Sequence, residues 1–317
     1  AAWQSGTISE TACNFALVAT SPAALNKAFV STIQQSQVPG TPSVFRFFEG
    51  TDSAGSTVEF APFMISPTQQ LQITSHASAV YSAGGNDQTY LPIPHNQSKR
   101  IYLWPNIAVD PVDANIVYLI YHDTVNPNPP LVVPPGGDEK VDVFFVKLTK
   151  SGSVWTPSAP VAIPDSDPTN PPPLSPSDNF HAAIYVTPGP SATSATTRIH
   201  VVFYSDRRYP GQLDTRGTGL SPSNLNLDAK FNAYYKYSDN GGTTWQPDQE
   251  IIQVPDEPAV DFAISPAPGF DLNDYVGLTA RPVQNGYEVW TSFMGSRDLD
   301  TDHHPSVIHA SRVPWPN

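Results

Sequence analysis

Five aspartates stand where strand-like segments begin or end. Asp123 follows "IVYLIYH", Asp178 precedes "NFHAAIYV", Asp206 follows "RIHVVFYS", Asp274 precedes "YVGLTA" and Asp298 follows "WTSFMGSR". Paired carboxylates are what glycosidic hydrolysis needs, one protonated at the leaving oxygen and one charged beside the sugar. Asp123, Asp206, Asp274 and Asp298 are therefore the candidate catalytic groups. Trp104 and Tyr275 offer rings to stack on a pyranose face. Arg207, Arg208 and Arg297 carry the paired donors that would hold an acidic sugar's carboxylate. Asp178, His122 and His181 complete the candidate binding set. A plainer reading stands beside this one: aspartates at strand ends form turns, and Asp–Arg neighbours make ordinary surface pairs.

The run "DLDTDHH" (298–304) places Asp298, Asp300 and Asp302 at alternate positions, as calcium loops do at their start. His303 takes the place of the usual glycine, and no glutamate follows at the expected distance, so a solvated acidic loop competes with a calcium site. His303 and His304 could join His122 or His181 around a transition metal. His200 alternates with apolar neighbours and reads as a core residue with its hydrogen bonds made.

The chain around these residues is acidic, with net charge −13 and a pI near 4.8. That balance argues against nucleic acid and anionic membrane as partners, since both select basic surfaces. Cys13 is the only cysteine, which excludes an intrachain disulfide and a cysteine-ligated zinc. No apolar run reaches the ~18 residues of a membrane span. Ala1-Ala2 fits the start of a processed chain, and the acidic balance suits a secreted or surface-exposed protein. Thirty-five prolines and 19 glycines disfavour long helices and suit short strands. The best helical stretch is "SPAALNKAF" (21–29).

Internal repetition decides the expected architecture. "LWPNIAVDP", "NIVYLIYHD" and "VDVFFVKLTKSGSVW" (103–155) match "DNFHAAIYVTP", "RIHVVFYSD" and "FNAYYKYSDNGGTTW" (178–245) in order and pattern. A third copy runs through "NDYVGLTARP", "GYEVWTSFMGSRD" and "HPSVIHASRV" (273–313). "CNFALVATSP" and "SVFRFFEGTDSAGS" form a fainter one. Fourth strands are expected in "VWTPSAPVAI" (154–163) and "TTWQPDQEII" (243–252). Meandering four-stranded units in succession predict an all-β chain: a β-propeller of antiparallel blades, five in number with four to six allowed. "WQSGTIS" (3–9) would supply the missing last strand and close the ring. Residues 1–317 are read as one domain, with 66–103 an irregular blade or an insertion.

"SDNGGTTW" (238–245) fits Ser-x-Asp-x-Gly-x-x-Trp, with Asn240 in the third place. It resembles the Asp-box of sialidase-like propellers, and "LTKSGSVW" (148–155) keeps only its Gly152 and Trp155. The resemblance implies that these turns join third to fourth strands on the face away from the ligand. Asp239, Asn240 and Trp245 are accordingly structural. The candidate residues would then gather on the opposite face as a glycan-recognising rim, with hydrolysis an open question. The Arg-Ile-Pro motif of that family is absent, since "VFRFFEG" offers Arg46 without it, and no Tyr–Glu nucleophile pair is assignable. A non-catalytic module of an extracellular assembly is the rival reading.

Overall fold

The computed structural model describes residues 13–34, 42–52, 58–76, 80–81, 88–92, 100–102, 104–125, 141–164, 179–205, 230–251, 260–261, 277–283, 286–296 and 306–312. They are mostly strand, in antiparallel sheets, with almost no helix. Sheet 1 runs β1 (Cys13–Ser21), β2 (Ala24–Gln34), β3 (Val44–Thr51) and β4 (Glu59–Pro62). A hairpin of β5 (Met64–Ser66) and β6 (Gln69–Gln70) leads to β7 (Gln72–Thr74), which returns to pair with β3. Next come β8 (Val80–Tyr81), β9 (Gln88–Pro92) and β10 (Arg100–Tyr102), a small three-stranded sheet. Much of 66–103 is therefore shared out: β7 belongs to sheet 1, and β8 to β10 stand as their own unit.

Sheet 2 runs β11 (Asn106–Val109), β12 (Ile116–Thr124), β13 (Val141–Ser151) and β14 (Val154–Pro157), and β15 (Val161–Ala162) continues the edge along β13. Sheet 3 repeats the order with β16 (Asn179–Thr187), β17 (Arg198–Ser205), β18 (Lys230–Ser238) and β19 (Gln249–Glu250), and β20 (Val260–Asp261) pairs with β18. Sheet 4 comprises β21 (Gly277–Val283), β22 (Gly286–Ser296) and β23 (Ser306–Arg312). The expected fourth strands of sheets 2 and 3 are real but broken. Pro157 and Pro160 interrupt the first, and the second shrinks to two residues after Pro247. The expected N-terminal closing strand (3–9) lies outside the described residues.

The helix expected over 21–29 is corrected. Pro22-Ala23 form a two-residue turn that pairs Ser21 with Ala24, and the segment enters β2. Phe29 and Ile33 are buried in the core from that strand. Local helix propensity is worth tenths of a kcal/mol per residue, whereas burying one Phe or Ile returns about 1.5–3 kcal/mol. Tertiary burial wins.

Every residue of β12 is buried, so its apolar run is covered on both faces. On one side Val117, Leu119 and Tyr121 pack with Phe29, Phe45 and Phe47 of sheet 1. On the other, Tyr118 and Ile120 pack with Ile184, Val201 and Phe203 of sheet 3. The first strands touch in succession: β1 meets β11, β11 meets β16 and β16 meets β21.

Tryptophans following the glycine turns fill the gaps between sheets. Trp155 stacks on Phe63 at 3.9 Å, within 2° of parallel, and meets Phe29 edge-on. Trp245 meets Phe145 of sheet 2 edge-on at 5.4 Å. Among the described residues no helix is long and apolar enough to cross a membrane.

Candidate functional site

The two ends of sheets 2 and 3 differ in chemistry. One end carries the glycine turns. Gly152, Gly241 and Gly242 have φ of 62°, 63° and 88° there, which side chains resist. In the second turn Ser238 Oγ accepts the Gly242 amide at 2.9 Å, and Asn240 Oδ1 accepts the Thr244 amide at 2.9 Å. Asp239 pairs with Arg198. Each polar group of this turn serves the turn or its neighbour, as expected of a structural element.

Asp110 locks the same end. It is fully buried and accepts the Val112 and Asp113 amides on Oδ1 and the Tyr118 and Thr197 hydroxyls on Oδ2. Its carbonyl accepts from Ser21 Oγ at 2.6 Å. One residue thus ties sheets 1, 2 and 3. Nearby, Glu49 sits between Lys27 and Lys150. Burial works to raise its carboxyl, but the hydrogen bonds and charges of Lys150 and Lys27 outweigh that and hold it below the ordinary range.

At the opposite end, β12 finishes at Asp123 and Thr124, β13 starts at Val141 and Asp142, and β16 starts at Asn179. Of the sequence candidates, Trp104, His122, Asp123 and His181 are described here. His181 is the centre of an aromatic group. Its ring lies 5.5 Å from that of His122 and 6.5 Å from that of Trp104, with Phe180 and Tyr204 also edge-on to it. It occupies the irregular step in the β16–β17 register between Phe180 and Ala183, with φ of 49°. A non-glycine residue held there is strained, and such positions cluster at functional sites. His181 is 4% exposed, and both ring nitrogens lack a hydrogen-bond partner. Burial pushes its pKa down to about 4, so the ring is neutral near pH 7.

Asp123 projects from the face of β12 opposite to His122, because successive strand residues alternate. Its Oδ2 accepts the His76 amide at 2.6 Å and its Oδ1 the Thr124 amide at 2.8 Å. Burial raises its carboxyl above the ordinary range against the pull of these donors and of the Ser75 hydroxyl. Directly across the ladder stands Asp142, likewise buried, which accepts Asn179 Nδ2 at 2.8 Å.

His76 is held by its own Nδ1, 2.8 Å from the Thr124 carbonyl. In that contact Nδ1–H donates to the carbonyl oxygen.

Sequence reasoning missed Asp142 and His76. Asp142 had a signal, a lone carboxylate in "VDVFFV" opposite Asp123 once the hairpin register is drawn. His76 had none, because β7 joins β3 only in three dimensions. His200 behaves as expected of a core residue. Its Nε2 meets Thr187 Oγ1 at 3.0 Å and its Nδ1 meets the Tyr235 hydroxyl at 2.7 Å.

Asp178, Asp206, Arg207, Arg208, Asp274, Tyr275, Arg297, Asp298, Asp300 and Asp302 lie outside the described residues. Among the described residues, no group of three His, Cys, Asp or Glu side chains is close enough to hold a metal ion.

No protein-family model and no curated protein matches the sequence. Among the solved structures to which the chain is loosely similar are a sialidase and a xylosidase. Against the Trypanosoma rangeli sialidase in complex with the inhibitor DANA, the TM-score is 0.39 at 7% identity over 95% of this chain. Against the xylan β-1,4-xylosidase of Bacillus halodurans C-125 it is 0.25 at 12% identity, again over 95%. The chain spans 36% of the first protein and 52% of the second.

Proposed function

We propose that the chain is a sialidase-like β-propeller, secreted or surface-displayed, that binds carbohydrate at the end of its sheets opposite the glycine turns. The fold part rests on the repeated meander, the successive contact of first strands and the tryptophans set between sheets. The observation that carries the functional part is His181, a buried, strained and unpartnered imidazole beside Trp104 and His122. A buried polar group without a partner costs about 1–3 kcal/mol. A ligand hydroxyl that completes its hydrogen bonds returns that cost, and the face of the nearby Trp104 indole is the kind of surface on which a sugar ring stacks. Asp178 precedes β16 in the chain, Asp206, Arg207 and Arg208 follow β17, and Arg297 and Asp298 follow β22. In this reading they join the same rim.

The test is a glycan array and a panel of glycosides with the wild-type protein and with Trp104→Ala and His181→Ala. Binding by the wild type that drops at least tenfold in both variants, with unfolding transitions intact, supports the reading. A blank array with folded wild-type protein overturns it. A second reading, a non-catalytic module, is favoured by the donors that hold Asp123 and Asp142 like staples. Glycan binding without turnover of any glycoside selects it.

A further inference from the structure

We propose that the His181 site selects an uncharged sugar unit, whose hydroxyls bond the imidazole, over a sugar carrying a carboxylate, sulfate or ammonium group. The inference rests on the carbohydrate reading above and says which sugars that reading admits. It begins from the two ring nitrogens, both buried and both without a hydrogen-bond partner. A neutral imidazole has two unlike edges, one N–H that donates and one lone pair that accepts. That count is the same in either tautomer.

The two edges sort ligand groups by chemistry. A carboxylate or sulfate only accepts, so it leaves the lone-pair nitrogen unmet. An ammonium only donates, so it leaves the N–H unmet. A hydroxyl does both, and sugar hydroxyls therefore satisfy either edge of the ring. The acidic sugar that Arg207, Arg208 and Arg297 would hold in the sequence reading is then not the unit that meets His181.

The surroundings favour the same class. The rings of Trp104, His122, Phe180 and Tyr204 lie around that of His181, with centroids 5.4 to 6.5 Å away. Burial alone drives the His181 pKa down, with no charged group among the described residues contributing. A carboxylate placed here would lose its water with no described counter-charge acting on the ring to offset it, a cost that an uncharged hydroxyl escapes. Trp104 is half-buried, so the aromatic group reaches the surface at the indole.

The test uses the full chain on an array of matched glycosides: neutral hexosides, their uronic acid and sulfated counterparts, sialosides and unacetylated amino sugars. Neutral members should bind about tenfold tighter, or more, than their charged counterparts. Calorimetric titration of the best neutral sugar should give one affinity between about 0.05 and 0.5 M salt, since no charge pair is there to screen. His181→Asn keeps a donor and an acceptor and tolerates the left-handed backbone. It should hold affinity about tenfold better than His181→Leu, whereas equal loss in the two overturns the hydrogen-bonding role. Monodeoxy versions of the bound sugar ask the same of the wild type, so the question survives a variant that fails to fold. Removing at least one hydroxyl should weaken binding about tenfold, and a flat monodeoxy series overturns the inference. Tighter binding of the charged counterparts, or affinity that falls steeply with salt, overturns it while the carbohydrate reading stands. A blank array with folded protein overturns both.

Discussion

Replacing Asp110 by alanine removes a group that ties three sheets, and its cost follows from the donors it leaves behind. Tyr118 Oη and Thr197 Oγ1 each lie 2.7 Å from Oδ2, and both residues are fully buried. Each orphaned buried hydroxyl costs about 1–3 kcal/mol. The Val112 and Asp113 amides at 2.8 and 3.0 Å are only part-buried, so water replaces much of what they lose. Ser194 Oγ at 3.3 Å adds little. The sum centres on about 4 kcal/mol, a large share of a domain's usual ~5–15 kcal/mol. Asp110→Asn keeps one acceptor and should cost about 1–2 kcal/mol, since an amide nitrogen then faces hydroxyls that can turn to accept. Urea unfolding at unchanged m measures both. Pairing Asp110→Ala with Thr197→Val should show strong coupling, because they share one contact. A loss below about 1 kcal/mol in Asp110→Ala, or strict additivity in the pair, would refute the claim that this carboxylate fastens the sheets.

Gly242→Ala should destabilise more than Gly152→Ala. Both glycines have positive φ, but an added Cβ at 242 lies 2.3 Å from Phe145 Cε1 whereas at 152 nothing lies within 4 Å. Thermal unfolding should separate strain alone, about 1 kcal/mol, from strain plus overpacking at two or three times that. Lys236→Met leaves Asp248 buried without the ammonium that stands 2.6 Å from it and should cost about 3–5 kcal/mol, most of it recovered in Lys236→Met/Asp248→Leu. His181 titrates at about 4 when folded and near 6.5 when unfolded, so its contribution is complete above pH ~6.5 and falls by about 3 kcal/mol as pH drops toward 4. Stability profiles should be flatter across that window in His181→Asn, which tolerates the left-handed backbone and does not titrate; an identical slope contradicts the assignment. Glu49 has the opposite history, held down by its lysines, so its contribution is present above its unfolded value and lost as pH falls through the folded one. Lys27→Met should shrink that loss in an acid titration.

The strand order was legible because period-two patterns and turn residues are local. "NIVYLIYHD" and "RIHVVFYSD" became β12 and β17 within one or two residues of the expected ends. The glycine turns were legible for the same reason, since a positive φ needs glycine wherever the chain is going. Position 21–29 failed because helix propensity is a local and weak preference, and the two-residue turn that pairs Ser21 with Ala24 overrode it. For the site, the strand ends pointed to Trp104, His122, Asp123 and His181, since those positions follow from the repeat. Their states were not legible. Nothing in "NFHAAI" says that His181 is left-handed, buried and without partners, and nothing near residue 76 says that its amide meets Asp123, 47 positions away. The sequence by itself determined which segments are strands and where polar groups punctuate them. Only the tertiary structure decided which carboxylates face each other and which imidazoles lose water, because pairing register and burial depend on contacts between distant parts of the chain.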